Sequence, residues 1–347
     1  MAMDLSLFDY ELPPERIAQE PAEARDASRL LVLDRGRHRW EDARFSDLPR
    51  WLRAGDCLVV NESRVIPARL LGLLEGEDTA VELLMVRALE GMRWEALVRP
   101  GRRLRVGARV SLAHGAARVT VLDRRPEGAR VVEIEAPWPV QELLERHGLP
   151  PLPPYIARHD APKPEDWERY QTVYARPPGS IAAPTAGLHF TRALLERLAA
   201  AGVEIHPITL HVGPGTFRPI RTRAVEAHRL APETAEVRAA TAEAVNRARA
   251  EGRRVIAIGT TATRTLEWAS DATGVVQGRS GEADLFVFPG HRFRVVDALV
   301  TNFHLPRSSL LLLVSAFAGR ELILAAYAHA VAEGYRFYSY GDAMLIL

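Results

Sequence analysis

Of the 347 residues, one is cysteine, Cys57, and one is lysine, Lys163. A single thiol cannot close a disulfide within the chain or build a cysteine-rich zinc or iron–sulfur site. It also removes zinc nucleobase deaminase chemistry, whose signature needs paired cysteines. Lys163 lies in the proline-flanked PKPEDW, so Schiff-base chemistry is not expected, and no G-K-[ST] phosphate loop exists. All but one of the 45 basic residues are therefore arginine, and against 44 acidic residues the formal net charge is +1. The chain is no polycation, and any nucleic-acid surface must be a local patch. Long hydrophobic runs are missing too: the longest, 310–318, falls far short of the ~20 residues that cross a bilayer. The N-terminus is acidic and broken by prolines, unlike a secretory signal, so a cytoplasmic protein is expected.

What is present is ordinary for a globular protein: 47% hydrophobic and 26% charged residues. From residue 68 to about 135 the chain reads as strand after strand: ARLLGLLE, AVELLMVRAL, MRWEALVRP, ARVSLAH, ARVTVLD and ARVVEIEA. Glycines break the runs and no helical stretch intervenes, which predicts a small antiparallel barrel or sandwich. VQELLERHG then reads as a short helix in a proline-rich return. Beyond residue 175 strands and helices alternate. Thr191 caps one helix, a second runs from Pro232 to Gly252, and RRVIAIGTT feeds directly into ATRTLEWAS. DLFVFP, FRVVDALVTNF and YRFYSYGDAMLIL read as strands, and 308–318 and 321–332 as helices. The expectation is an α/β body with a mixed sheet flanked by helices, made of 1–66 and 150–347, with an all-β barrel-like domain inserted at 67–149.

Four stretches crowd glycine, small hydroxyl residues and histidine together: GSIAAPTAGLHFT, LHVGPGTFRP, GTTATRTLE and TNFHLPRSSLLLLVSAFAG. Each abuts an apolar run. Glycine admits close backbone approach, and hydroxyl and imidazole groups bond ligands and move protons. Such loops on one scaffold point to an enzyme site assembled from strand ends. His189, His211 and His304 stand at loop junctions, as acid–base groups, as metal ligands, or as histidines satisfying backbone groups. No HxxxH or HxH spacing supports a metal, and none is expected.

GTTATRTLE follows a strand and opens a helix, so its first N–H groups with Gly259, Thr260 and Thr261 suit a carboxylate or phosphate. Arg264 and Glu267 fall on one face at i, i+3, which also describes a surface ion pair. YSYGDAMLI sets Asp342 among tyrosines, suited to a cationic ligand or to a plain turn. RPGRRLRVGAR and ERYQTVYARPPGS bring arginines and tyrosines together, as RNA backbone and unstacked bases require. The arginine-rich composition makes a solvated face the commoner fate of such residues.

Read together, FDYELPPERIAQEP, SRLLVLD, GDCLVVNESRVIPARL, ERYQTVYA, GSIAAPTAGLHFT, TLHVGPGTFRP, VIAIGTTATRTLE, VVDALVTNFHLPRSSLLLLVSAFAG and YRFYSYGDAMLI span the chain nearly end to end. The sequence resembles the S-adenosylmethionine:tRNA ribosyltransferase-isomerases of queuosine biosynthesis. It departs at Ala262 and Thr263, where the family more often has Ser-Val, and in VEAHRLAPETAEV, which is shorter and keeps one histidine, His228. The resemblance implies transfer of the ribosyl portion of S-adenosylmethionine onto 7-aminomethyl-7-deazaguanine at the tRNA wobble position. Epoxyqueuosine forms, and adenine and methionine leave. S-adenosylmethionine is thus a co-substrate, the partner is tRNA, and a monomer away from membranes is expected.

On this reading one of His189, His211 or His304 is the base, with Asp342 or Glu267 facing the sulfonium. Arg264 and the Gly259-Thr260-Thr261 turn hold the methionine carboxylate. Thr185, Gly187, Gly215, Thr216, Asn302 and Ser308 border the sugar, and Arg64, Arg69, Arg169, Tyr170 and Gln171 meet the tRNA. Two other classes remain: a metal-dependent hydrolase using the loop histidines, and a non-catalytic RNA-binding protein built on the β insert. An ordinary methyltransferase is disfavoured, because the first strand runs into NESRVIP instead of a glycine-rich turn.

Overall fold

The alternating and continuous apolar runs fold as their periods require. A computed structural model describes residues 3–158, 162–213, 215 and 220–347. The chain divides into two compact units, one of residues 1–64, 153–157 and 169–347, the other of 65–152 and 158–168.

The second unit holds a closed antiparallel barrel of β5 (Arg69–Leu74), β6 (Ala80–Ala88), β7 (Arg93–Arg99), β8 (Arg109–Leu112), β9 (Ala117–Arg124) and β10 (Arg130–Glu135), ordered β10-β7-β6-β5-β8-β9. Alternation sets its interior: Val81, Leu83 and Met85 of β6 are buried while their neighbours are not. Closure leaves no free sheet edge. Arg130 is buried at one end, where its guanidinium donates to the carbonyls of Leu104 (2.8 Å) and Gly101 (2.8 Å). It thereby staples the arginine-rich 100–105 loop. Residues 101–103 are turn, and Arg103 pairs with Glu77 at 3.1 Å. Helix α1 (Val140–His147) follows the last barrel strand.

The first unit carries a nine-stranded mixed sheet: β1 (Arg29–Asp34), β2 (Arg39–Arg44), β3 (Cys57–Asn61), β12 (Glu204–Leu210), β13 (Glu233–Val237), β14 (Val255–Ile258), β15 (Arg279–Ala283), β16 (Ala298–Asn302) and β17 (Ala343–Ile346). The order is β15-β13-β12-β3-β14-β16-β17-β1-β2, and β4 (Arg64–Val65) and β11 (Pro178–Ser180) form a separate ladder. Central strands β3, β14, β16 and β17 are buried throughout, as a sheet covered on both faces demands. Helices α3 (Arg192–Ala200), α4 (Ala239–Ala250), α5 (Gly259–Ala269), α6 (Ser309–Ala318) and α7 (Arg320–Ala332) supply much of that cover, while the short α2 (Pro164–Arg169) falls, apart from Arg169, in the second unit. Thr191 caps α3 by accepting from Leu194 N.

Two expected elements differ. Residues 233–237 form strand β13 and the helix starts at Ala239, because Glu233, Ala235 and Val237 alternate inward and pair with β12 and β15. DLFVFP lies outside regular structure, and the strand there is the preceding β15. Among the described residues no single helix is long and apolar enough to cross a membrane; α6 and α7 qualify only as a pair bent by 114°.

Candidate active site

Register decides where the loops meet. Strands β12, β3, β14 and β16 run parallel, so Leu210, Asn61, Ile258 and Asn302 end at one edge of the sheet. Strand β17 is antiparallel to β16 with Asn302 opposite Ala343, and β1 is parallel to β17 with Leu30 opposite Ala343. Residues 28 and 342 therefore join the same edge. Open α/β sheets bind ligands beyond such carboxyl ends.

His189 closes the 3₁₀ turn of residues 185–189 and is buried. Its Nδ1 lies 2.7 Å from Ser28 Oγ, its Nε2 3.2 Å from Asn302 Nδ2, and its ring stacks on Phe45 at 5.0 Å. Asn302 Nδ2 also donates to the Tyr338 carbonyl (2.9 Å), which fixes that atom as the amide nitrogen. Nε2 must then accept, so the proton sits on Nδ1 and faces Ser28. Burial first, then the positive charge of Arg336, pushes the imidazole pKa down to about 3. The ring borders a crevice that Arg25, Ser28, Arg169, Ser339 and Tyr340 also line.

Two glycines permit this packing. A Cβ on Gly187 would lie 2.2 Å from Tyr174 Oη, so the TAGLH turn fits against the ERYQTVYA segment only without a side chain. Gly187→Ala should cost about 1–3 kcal/mol by overpacking. Tyr174→Phe should recover much of that loss, since the Tyr174 hydroxyl has no partner; thermal melts of both variants and the double mutant check this. A Cβ on Gly341 would sit 2.4 Å from the Arg336 carbonyl, which locks the YGD turn.

The other histidines lie apart. Thr301 shares its sheet face with Leu299 and Phe303, and holds His304 Nε2 at 2.9 Å, whereas Asn302 faces His189 with Ala298 and Val300. His304 is buried, with its pKa pushed down to about 3 by burial alone. Half-buried His211 presses on Gly179, where a Cβ would come within 2.7 Å of the ring. Its Nδ1 has no partner, and burial lowers its pKa against the opposing pull of Glu236.

Asp342 and Glu267, the two alternatives for facing a sulfonium, both accept from backbone N–H groups. Asp342 accepts from the N–H groups of Arg29 (2.9 Å) and Arg336 (2.8 Å), tying β1 to the terminal turn. Glu267 accepts from Arg294, Val295 and Val296 N–H groups at 3.0–3.2 Å. Burial alone would raise Glu267, but His291, 3.7 Å away, and those N–H groups hold it below its ordinary value. Both oxygens are directed at protein, not at a cavity.

The remaining expected residues sort by position. Gly259 has φ +91° at the junction of β14 and α5, a conformation only glycine adopts freely, and Thr260 and Thr261 are buried beside it. The Thr261 hydroxyl has no partner. Arg264 is buried against Glu233 at 2.6 Å. Ser308 caps α6, accepting from Leu311 N at 3.2 Å. Thr185 opens the His189 turn, and Gly215 follows β12; Thr216 lies outside the described residues. Of the RNA candidates, Arg169 lines the His189 crevice while donating to the carbonyls of Ala22 and Glu23. Tyr170 is buried against Tyr340, and Gln171 is half-buried. Arg64 is exposed, and Arg69 pairs with Glu82 in the barrel at 3.0 Å. Among the described residues no cluster of three His, Cys, Asp or Glu could hold a metal ion. Nothing in the local sequence marks Ser28, Phe45, Arg25 or Arg336, which meet the His189 turn from more than a hundred residues away.

This is an α/β enzyme site at the carboxyl edge of a mixed sheet. Residues 5–346 match the profile of the queuosine biosynthesis protein family, and the chain belongs to it. It is 55% identical to the S-adenosylmethionine:tRNA ribosyltransferase-isomerase of Moorella thermoacetica, over 99% of this chain and all of that one. Identity to the protein of the same name from Symbiobacterium thermophilum is 53%, again over 99% and 100%. The crystal structure of S-adenosylmethionine tRNA ribosyltransferase from Thermotoga maritima superposes with a TM-score of 0.57 at 38% identity, covering 99% of this chain and 100% of that one.

Proposed function

We propose that the protein is an S-adenosylmethionine:tRNA ribosyltransferase-isomerase. The full-length identity to relatives of that name carries the reading. Its substrates are S-adenosylmethionine and tRNA. The acceptor is the aminomethyl nitrogen of 7-aminomethyl-7-deazaguanine at the wobble position, and the products are epoxyqueuosine-tRNA, adenine and methionine. A cytoplasmic monomer fits that substrate.

The chemistry needs a proton acceptor, because the sulfonium acidifies the adjoining 5′ carbon, and a proton donor as adenine departs. The acceptor amine must be neutral to attack. His189 takes this proton-handling role. It borders an open crevice, its Nε2 carries the lone pair, and Ser28 holds its Nδ1 proton. Arg25 and Arg169 at the rim suit tRNA phosphates. Thr185, which opens the His189 turn, and Asn302, at the ring of His189, are the candidate partners of the sugar hydroxyls.

The test supplies S-adenosylmethionine and tRNA bearing the modified base. Adenine should appear in step with the mass gained by the tRNA, and chelator should leave the rate unchanged. Formation of S-adenosylhomocysteine, or adenine release indifferent to tRNA, overturns the assignment.

A further inference from the structure

The arginine-rich RPGRRLRVGAR, residues 99–109, has no role in the site above. It holds five arginines and no acidic residue, although 65–152 as a whole is nearly neutral, with 13 arginines against 12 acidic residues. Barrel closure concentrates the charge further. Strands β5, β7 and β9 end where β6, β8 and β10 begin, as the cross-strand pairs Leu74–Val110, Glu82–Arg99 and Arg124–Arg130 require. Arg99, Arg102, Arg103, Arg105, Arg109 and Arg124 therefore share one rim of the barrel, and all six are exposed. Glu77 holds Arg103, and among the described residues the other five have no ion-pair partner. The nearest carboxylates are mostly engaged: Glu75 faces Arg118 at 2.6 Å and Asp123 faces Arg125 at 3.9 Å, which leaves exposed Asp78 in the β5–β6 turn.

Arg130 makes this rim a built surface. It is 3% exposed and, among the described residues, has no carboxylate partner. Besides the carbonyls of Leu104 and Gly101 it donates to those of Gly128 (2.7 Å) and Ala129 (3.1 Å). Carbonyls satisfy its N–H groups but leave its charge uncancelled, so the rim stays positive from behind. The same bonds fix the loop. Leu104 is fully buried while Arg102, Arg103 and Arg105 on either side of it are exposed, so the arginines are held outward before any ligand arrives. The counter-charge must come from outside the chain. Five free arginines exceed what the two phosphates flanking one nucleotide can pair, so the ligand is an extended run of phosphates. A membrane surface would want an apolar face beside the charge, and Val106 is the one large apolar side chain that 99–109 exposes. We propose that this rim of the barrel binds the phosphate backbone of tRNA away from the reacting nucleotide, without reading base sequence. The inference rests on the reading above for the identity of the polyanion.

The experiment titrates the full-length protein with an unmodified tRNA transcript, without S-adenosylmethionine, from about 50 to 200 mM salt. Arg102→Gln/Arg105→Gln removes two exposed charges that hold no ion-pair partner, so the melt should not move. Affinity at the lowest salt should fall at least about 10-fold, and the slope of log K against log salt should flatten by about 1.5. Arg37→Gln/Arg39→Gln removes the same charge from the β1–β2 hairpin of the other unit, and should change affinity by less than about twofold. Equal losses in the two variants would reduce the effect to overall charge and refute the surface. So would full tRNA affinity in a folded Arg102→Gln/Arg105→Gln protein, whether or not that variant loses binding to phosphatidylserine vesicles, and so would a wild-type protein without tRNA affinity. Turnover is not read. A wild type that binds tRNA through the rim but transfers no ribosyl group counts against the reaction, and one that transfers it with the rim variant binding normally counts against the rim alone.

Discussion

His189→Phe should lower turnover by about 10²–10⁴, the usual worth of a positioned acid–base group. Phenylalanine keeps the stack on Phe45 and most of the ring volume, so the loss reports missing nitrogens rather than a cavity. Ser28 and Asn302 each lose a partner, which predicts a modest fall in melting temperature. His211→Phe and His304→Gln should cost far less turnover, since neither ring touches the Ser28–Asn302 pair. Single-turnover kinetics with saturating tRNA makes the comparison. Near-normal turnover in a folded His189→Phe protein would remove His189 from the reaction.

The pH profile carries a further sign. In the free protein burial, then Arg336 and Arg25, keeps His189 neutral down to about pH 3. A base with so low a pKa accepts protons weakly. When tRNA phosphates pair with those arginines, their repulsion of a proton on His189 is offset, and its pKa rises. The acid limb of kcat should therefore stand at higher pH than that of kcat/KM for tRNA. Identical limbs would argue against substrate-raised basicity.

How much of this could be read from the chain varies by residue. The barrel was legible because its strands alternate in and out and glycines punctuate them, a purely local pattern. Residues 233–237 were not: ETAEVRAATAEAV is rich in helix formers, and only pairing with β12 and β15 makes its first part a strand. The loops rich in glycine and histidine were visible as sites, and the sheet register gathers them at one edge. Roles inside them were not visible. A carboxylate beside glycine looks the same in sequence whether it meets a cation or, like Asp342, two backbone N–H groups. Ser28 is an ordinary serine until folding brings it 2.7 Å from a histidine 161 positions away.

Acid should unfold this protein well before carboxylate protonation alone would. His189 and His304 are both buried and neutral, with pKa values of about 3 against an ordinary 6.5. The unfolded chain takes up these two protons as pH falls below 6.5, and the folded chain does not until about pH 3. Stability is thus complete above pH 6.5 and lost on acidification, by up to ~2.7 kcal/mol per pH unit for two protons. By pH 4.5 the loss reaches about 5 kcal/mol, comparable to the whole stability of many domains. Glu267, held below its ordinary value, adds a loss of the same sign at still lower pH. Melting temperatures from pH 8 to pH 4.5 should therefore fall steeply. His304→Gln keeps a side-chain partner for Thr301 but cannot titrate, so its curve should start lower at pH 8 and descend about half as fast. Described groups around His304 include the Tyr10 hydroxyl on its carbonyl and the Tyr327 hydroxyl on its N–H, neither of which titrates in this window. An unchanged slope in His304→Gln would mean that this imidazole is already protonated, or reached by water, in the folded protein.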